Sequence, residues 1–474
     1  MKARPVASES QARVQVIAPA GLGTTAVAAL RARGIDARLA NEARGAARND
    51  DFSIDPGTDD VVAWALDAPP GTAATVELAQ LCARAATASR PICLLAPPPK
   101  GTGRAAAERA AALAYLRAHG AALAHDVDAW LEATVALVRF GLPKGPRAAI
   151  VAPAGSWLEA QAHALVAEAE ALGLRAPRLD PAGTDAVLYD PALGAPPEEP
   201  LAIPVAARPE LGGDGPALYS ARAALAAIDV LGHAAERIES GIGPAPAKAS
   251  AELQIEQDKL ERNFAKLIAG TRAGDHETKL LLSAYGVPVT RQVVATTPSA
   301  AVNGARRVGF PVEIKPWGPD APTERDGCPV ERGITSDAMV RRAYAAVLAA
   351  NGKPGEGAVI VREVPPLGRD LQVSFLEVPH LGWTVIVDAP GAPHVAAAPA
   401  PLRLIDAQRL ATALVASRAG DPEPDRAGLA NLLRRASHLV VDLGDRIARL
   451  ELPRVIVGGR GTRTVVTDAW CQVR

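Results

Sequence analysis

One pattern governs the first half of the chain: a short apolar run rich in β-branched residues, a turn, and then an alanine- and leucine-rich stretch. VQVIAPAG (14–21) leads into TTAVAALRARG, and PICLLAPP (91–98) leads into RAAAERAAALAYLRAHG. RAAIVAPAGSWLEAQAHALVAEAEALGLRAPRL (147–179) then starts the pattern again. Strands separated by helices are joined by crossovers, and crossovers make the strands parallel and cover both faces of the sheet. The first half is therefore predicted to be doubly wound α/β. The echo of VIAPAG (16–21) in IVAPAG (150–155) predicts two such domains in tandem, 12–142 and 146–238, with the boundary at Leu142–Pro146.

After a loop-heavy region at 188–217 and the helical stretch ALYSARAALAAIDVLGHAAERI, the segment ESGIGPAPAKASAE (239–252) reads as an exposed linker, taken as 239–262. The pattern then changes. DHETKLLLSAYGVPVTRQVVATTPSAAVNGARRVGFPVEIK (275–315) predicts a helix ending at Gly286, a strand through VPVTRQVVA, a helix capped by Thr or Ser, and a strand through GFPVEIK. GAVIVREV, LQVSFLEV, GWTVIVD, PRVIVGG and RTVVTD predict an antiparallel sheet, with two helices around 405–447. This third unit, 263–474, is predicted to be α+β.

Composition excludes several classes. Hydrophobic residues make up 49% and charged residues 22%, with a formal net charge of -1, which favours neither disorder nor a polyanion partner such as nucleic acid. No run approaches the ~20 apolar residues needed to span a bilayer, and residues 1–21 contain no secretory apolar core. A cytoplasmic protein with no membrane partner and four free thiols (Cys82, Cys93, Cys328, Cys471) is expected. The cysteines have no CxxC spacing and the eight histidines form no cluster, which argues against structural zinc.

Among residues that could carry chemistry, Lys315 closes an apolar strand. A strand-fixed ammonium can neutralise phosphates, or it can simply reach solvent at a strand end. The surrounding residues resemble a family. Leu282, Tyr285, Gly286, Val287, Pro288, Ala300, Ala301, Gly309, Phe310, Pro311, Val312, Lys315, Pro319 and Asp320 fall in register with the opening of the ATP-grasp domain in NDP-forming (ADP-forming) acyl-CoA synthetases, relatives of succinyl-CoA synthetase. LPKGPRAAIVAPAG, GAVIVREVPPLGRDLQVSF and LELPRVIVGGRGTRTVVTDAW extend the likeness over most of the chain. The resemblance does not extend to the family's N-terminal CoA-binding domain, which is expected to be missing, since it finds no room before Val14. The resemblance implies two tandem flavodoxin-like domains of the succinyl-CoA synthetase type followed by an ATP-grasp domain.

It also implies a nucleotide site. Lys315 would face the phosphates, and the backbone of Arg362, Glu363 and Val364 would meet the base. Asp370 stands where the family has Glu, able to accept from the ribose or orient a lysine, or else an exposed acid starting a strand. Asp468 matches a Mg²⁺ ligand, but Pro453 replaces the partner Asn of "D-I-N-P", leaving Glu451 as the substitute, with Arg454 following. The phosphate loop "H-K-S-D-V-G-G-V" corresponds to TERDGCPV. There Thr323 replaces a His, Glu324 replaces Lys, and Cys328-Pro329 replaces two glycines whose amides would close on phosphate.

The family's phosphohistidine relay aligns with Arg109, and a guanidinium that stays protonated cannot carry a phosphoryl group. His119 and His125 lie in the same region without a glycine-rich setting and read as capping or solvent-facing. The anion-binding turns are reduced to Ala18-Pro19-Ala20-Gly21 and Pro153-Ala154-Gly155-Ser156. The expectation is a catalytically impaired acyl-CoA synthetase-like protein with a regulatory, scaffolding or nucleotide-binding role. It would bind ATP or ADP with Mg²⁺ more weakly than the family and CoA only with a partner. Two alternatives stand beside it. One is an active ADP-forming ligase completed by a CoA-binding-domain subunit, and the other is an assembly module that binds no nucleotide. A homodimer is a further expected partnership.

Overall fold

A computed structural model describes residues 13–40, 60–99, 103–172, 177–191, 200–206, 217–245, 253–352, 357–389, 395–414, 423–459 and 461–474. Parts of the expected loop region and linker (192–199, 207–216, 246–252) lie outside the described residues. The chain forms two compact units. The first is residues 1–99 with 108–243, and the second is 100–107 with 244–474.

The first unit begins β1 (Val14–Ile17), α1 (Ala20–Arg31), β2 (Ala37–Leu39), β3 (Val61–Ala65), α2 (Thr72–Thr87), β4 (Cys93–Leu95), α3 (Arg104–Ala118), β5 (Ala122–Ala124) and α4 (Val127–Phe140). The five strands are parallel in the order β2-β1-β3-β4-β5. Period-two alternation assigns each strand residue to a face. Val61, Ala63 and Ala65 pack in one core with residues of α1 and α4, while Val62 and Trp64 pack in another with residues of α2 and α3. Helices therefore cover both faces, as the sequence pattern requires. Asp126 opens α4 by accepting from the Ala129 N–H at 2.7 Å, satisfying one of the free donors of the first turn.

The unit continues with β6 (Ala148–Val151), α5 (Trp157–Leu172), β7 (Ala186–Tyr189), β8 (Leu201–Ala206), β9 (Leu218–Tyr219) and α6 (Ala221–Ser240). Its four strands are parallel in sequential order. The two sheets share one hydrophobic core, in which Trp130 and Ala133 of α4 meet Ala224, Ile228 and Leu231 of α6. A buried ion pair reinforces the junction. Arg33 binds Glu132 at 2.6 and 3.0 Å, stacks 4.1 Å from the Tyr219 ring and donates to the Ala217 carbonyl, while Glu132 accepts the Tyr219 N–H.

The second unit runs α7 (Gln257–Phe264), β10 (Arg272–Ala273), α8 (Asp275–Ala284), β11 (Gln292–Ala295), α9 (Pro298–Val308), β12 (Val312–Pro316), a 3-10 turn (Glu324–Asp326), β13 (Glu331–Ile334), α10 (Asp337–Ala350) and β14 (Val359–Glu363). It ends with β15 (Gly368–Val378), β16 (Gly382–Asp388), β17 (Ala396–Pro399), α11 (Leu404–Leu414), α12 (Arg426–Asp442), β18 (Ile447–Gly458) and β19 (Val465–Val473). There are two antiparallel sheets here, not the single one expected from the later segments. GAVIVREV supplies β14, which inserts between β11 and β12 in the order β11-β14-β12-β13, and the other predicted segments supply β15, β16, β18 and β19 of the second sheet, β10-β19-β18-β15-β16-β17. Hydrophobic alternation marks a strand but does not name its neighbour.

The strand expected through VPVTRQVVA is also shorter than the pattern suggested. Only Gln292–Ala295 pairs with β14, because Val289 bridges Val466 and the Thr290 N–H donates to the Val466 carbonyl, so the segment crosses from one sheet to the other. The helix before it ends as expected. Gly286 at φ +68° reverses the chain, a conformation that strains other residues. Thr297 caps α9 through the Ala300 N–H. α11 and α12 are the two late helices. Among the described residues no helix is long and apolar enough to cross a membrane, and all four cysteines are free thiols.

Candidate nucleotide site

The small sheet has one apolar face and one charged face. Val312 and Ile314 of β12, with Val359 and Val361 of β14, pack in the core that includes residues of α9 and α10. Strand alternation sends Glu313, Lys315 and Arg362 to the other face, where Thr467 and Asp468 of β19 meet them.

Lys315 is 3% exposed, so its ammonium needs partners. It pairs with Asp275 at 3.1 Å and Asp468 at 3.2 Å. Burial alone would lower its pKa, but these two carboxylates outweigh burial and raise it. Asp275, the first residue of α8, also receives Lys279 at 3.0 Å and the Ala469 N–H at 2.9 Å. Burial favours its neutral form, yet Lys279, Lys315 and Arg362 together hold its carboxyl below the usual range. Lys279 is enclosed by Asp275, Thr290, Gln292 and the Thr467 carbonyl, and burial brings its pKa down to about 8.

Arg362 is fully buried. It grips Glu313 through Nε and Nη2 at 3.0 and 2.6 Å, donates to the Thr467 carbonyl at 2.8 Å, and pairs through Nη1 with Glu324 at 2.6 Å. Glu324 is also paired with Arg454 at 2.9 Å and Arg332 at 3.2 Å. Burial raises the Glu324 pKa, but Arg362, Lys315 and Arg454 win and hold it down to about 2. The Glu324 N–H donates to Asp468 at 2.8 Å, and Arg325 donates to the Pro453 carbonyl at 2.6 Å, so the turn is fastened on both sides. Thr323 caps the turn through the Asp326 N–H.

The paired network contains five cations, Lys279, Lys315, Arg332, Arg362 and Arg454, and five carboxylates, Asp275, Glu313, Glu324, Asp370 and Asp468. Its charge is balanced internally. The recess bordered by Arg272, Asp275, Lys315, Thr323, Ile360 and Asp468 has a cavity volume of about 10 Å³, the room of one water. Sites for drug-sized ligands usually enclose roughly 300–1,000 Å³.

The remaining expected residues divide. β14 is interior to its sheet, with Arg362 in register with Gln292 on one side and Glu313 on the other, and the Glu363 N–H donates to the Arg291 carbonyl. The Glu363 side chain pairs with Arg291 at 2.7 Å and with Arg463, and Val364 lies past the strand end, half-exposed. Asp370 is held by Arg454 at 2.7 Å. Glu451 accepts from Ser374 at 2.7 Å and pairs with Arg449 at 2.5 Å, and burial pushes its carboxyl up.

These residues do not fit Mg²⁺. Both Asp468 oxygens are taken, one by Lys315 and one by the Glu324 N–H, and its register partner on β18 is the cation Arg454. Glu451 stands opposite Trp470 on β19, and its carboxylate is committed to Ser374 and Arg449. In the first unit Arg109 is exposed on α3, His119 Nδ1 donates to the Tyr115 carbonyl at 2.8 Å, and His125 Nδ1 donates to the Ala96 carbonyl at 2.9 Å.

Sequence reasoning did not single out Asp275, Lys279, Glu313, Arg325 or Arg332. The signals were present but weak: Asp275 and Lys279 are spaced i, i+4, and Glu313 and Lys315 share a strand face. Nothing local joins Asp275, Lys279 or Glu313 to Glu324 or Asp468.

Residues 269–473 match the ATP-grasp domain family. Over 210 residues, 41% of this chain and 89% of the relative, the protein is 27% identical to the acetate–CoA ligase (ADP-forming) II subunit beta of Pyrococcus furiosus. It is 32% identical over 114 residues to subunit beta of acetate–CoA ligase (ADP-forming) I from the same organism, covering 23% of this chain and 49% of that one. A solved structure of the Ca. Korarchaeum cryptofilum dinucleotide forming acetyl-coenzyme A synthetase 1, in complex with coenzyme A, Ca-AMPCP and HgCl+, is 27% identical, covers 46% of this chain and 100% of that chain, and has a TM-score of 0.40. The second unit thus carries an ATP-grasp domain, homologous to the β subunits of ADP-forming acetate–CoA ligases.

Proposed function

We propose that this acyl-CoA synthetase-like protein is catalytically impaired and serves as a regulatory or scaffolding subunit whose ATP-grasp domain binds nucleotide weakly or not at all. The observation that carries this reading is the Glu324 carboxylate lodged between Arg362, Arg454 and Arg332, with a cavity of about 10 Å³ beside Lys315. A triphosphate would have to displace a carboxylate from a charge-balanced network, and the residues that would hold its Mg²⁺ are committed elsewhere. Arg109 in the relay position supports the same reading, since it cannot accept a phosphoryl group.

In this reading residues 12–142 and 146–238 are tandem flavodoxin-like, succinyl-CoA synthetase-type domains. Residues 239–262 form the linker, and 263–474 form the ATP-grasp domain. Any nucleotide would lie near Lys315, Arg362, Glu363, Val364 and Asp370. A second reading is favoured by the relatives' designation as subunit beta, namely an active ligase completed by a partner chain that supplies the CoA-binding domain and the histidine.

The test is thermal-shift titration of the full chain with ATP/Mg²⁺, ADP and CoA, alongside phosphoryl labelling with and without the candidate partner. A ligand that binds only the folded state raises its stability by mass action. Little or no shift at millimolar nucleotide and no acid-labile label is the expected result. Labelling of this chain, or a large Mg²⁺-dependent shift, overturns the impaired reading. Turnover only with a partner establishes the second.

A further inference from the structure

Glu324 and the arginines around it have the makings of a binding site with its occupant already in place. Arg362 is fully buried and turns the Nε/Nη2 edge of its guanidinium to Glu313 and Nη1 to Glu324. Arg454 approaches Glu324 from β18 and Arg332 approaches from β13. Three guanidinium groups from three strands converge on one carboxylate, and planar guanidinium forks suit phosphate as well as carboxylate. The carboxylate belongs to a three-residue 3-10 turn, outside both sheets. Beyond Glu324 itself, the turn is held at its base by the Glu324 N–H on Asp468 and by Arg325 on the Pro453 carbonyl. Removing the turn's charge takes one ion-pair partner from each arginine and gives the network one surplus positive charge.

We infer that Arg362, Arg454 and Arg332 form an anion site now filled by the Glu324 carboxylate, and that it accepts a phosphate-bearing ligand without a divalent metal when that carboxylate leaves. The inference rests on the self-filled site proposed above and adds what the site takes and how. Arg454 follows Pro453 and lies in register with Asp468. A fixed guanidinium thus supplies at this point the positive charge that a metal would otherwise bring. The Arg325 bond to the Pro453 carbonyl and the Arg454 pair with Glu324 both join this Pro-Arg segment to the turn, so Arg454, which stands where it opposes a metal, also clasps the turn.

The experiment uses the full chain as wild type, Glu324→Ser, Glu324→Ala and the double variant Glu324→Ala/Arg454→Met. Each is titrated with inorganic phosphate and sodium tripolyphosphate in EDTA, and again with Mg²⁺, by calorimetry and thermal shift. Both single variants are expected to bind tripolyphosphate at least roughly tenfold more tightly than wild type, equally well in EDTA, with the gain lost in the double variant. Glu324→Ser empties the site in the same way, so it serves if the alanine variant does not fold. No gain in a folded single variant, a gain that requires Mg²⁺, or a gain that survives loss of Arg454 overturns the inference. Phosphoryl labelling of the wild type reads the function proposed above independently of this result.

Discussion

Acid titration of Glu324 gives a quantitative test of its place in the network. Its folded pKa of about 2 lies below the ordinary 4.5, because Arg362, Lys315 and Arg454 outweigh the burial that opposes ionisation. Between those two values the unfolded chain binds more protons than the folded one, so stability rises with pH through this window. The contribution is fully present above about pH 5 and is lost as the pH falls toward 2. At 1.36 kcal/mol per pKa unit it amounts to about 3 kcal/mol near neutrality, and about 1 kcal/mol remains at pH 3. Glu324→Gln removes the charge while keeping the shape, so the wild-type advantage over the variant isolates the effect from other titrating groups. Urea denaturation of both proteins at several pH values from 7 to 3 reads it as a shift in midpoint at constant slope. An advantage that shrinks toward zero on acidification is expected. A gap that is constant with pH, or no gap at pH 7, would refute the assignment of Glu324 as a buried anion held by arginines.

Two predictions concern the first unit. Alanine is a better helix former than glycine by about 1 kcal/mol, yet Gly232→Ala in α6 should destabilise by roughly 1–3 kcal/mol, read by thermal or urea denaturation. A Cβ there would lie 2.4 Å from the backbone of Gly145 and Pro146, which cannot give way as a flexible side chain can. Arg33→Met or Glu132→Leu alone should cost about 3–5 kcal/mol, because each strands a buried charge, and the double variant should cost clearly less than the two combined. Additive costs would show that the pair is not a coupled unit.

Legibility differed between elements for physical reasons. The βα alternation of the first half, the capped helix after Thr297 and the stop at Gly286 were readable because each depends on residues adjacent in the chain. The assignment of β14 to the small sheet was not, since VIVRE carries the same alternation as the strands of the large sheet, and only long-range pairing separates them. The short pairing of VPVTRQVVA had the same cause: Val289 and Thr290 are drawn to β19, more than 170 residues along the chain.

The candidate site shows the same division. Sequence alone determined that Lys315 closes a strand, that the loop after it is acidic and proline-stiffened, that Pro453 cannot ligate a metal, and that Arg109 cannot relay phosphate. These are properties of side-chain chemistry at a position, and no fold alters them. Only the tertiary structure decided that Glu324 would meet Arg362, Arg454 and Arg332, and that Asp275 and Asp468 would neutralise Lys315. Those partners stand 8 to 153 residues apart in sequence. An ion pair depends on distance and burial, and both are set by how two sheets bring their charged faces together.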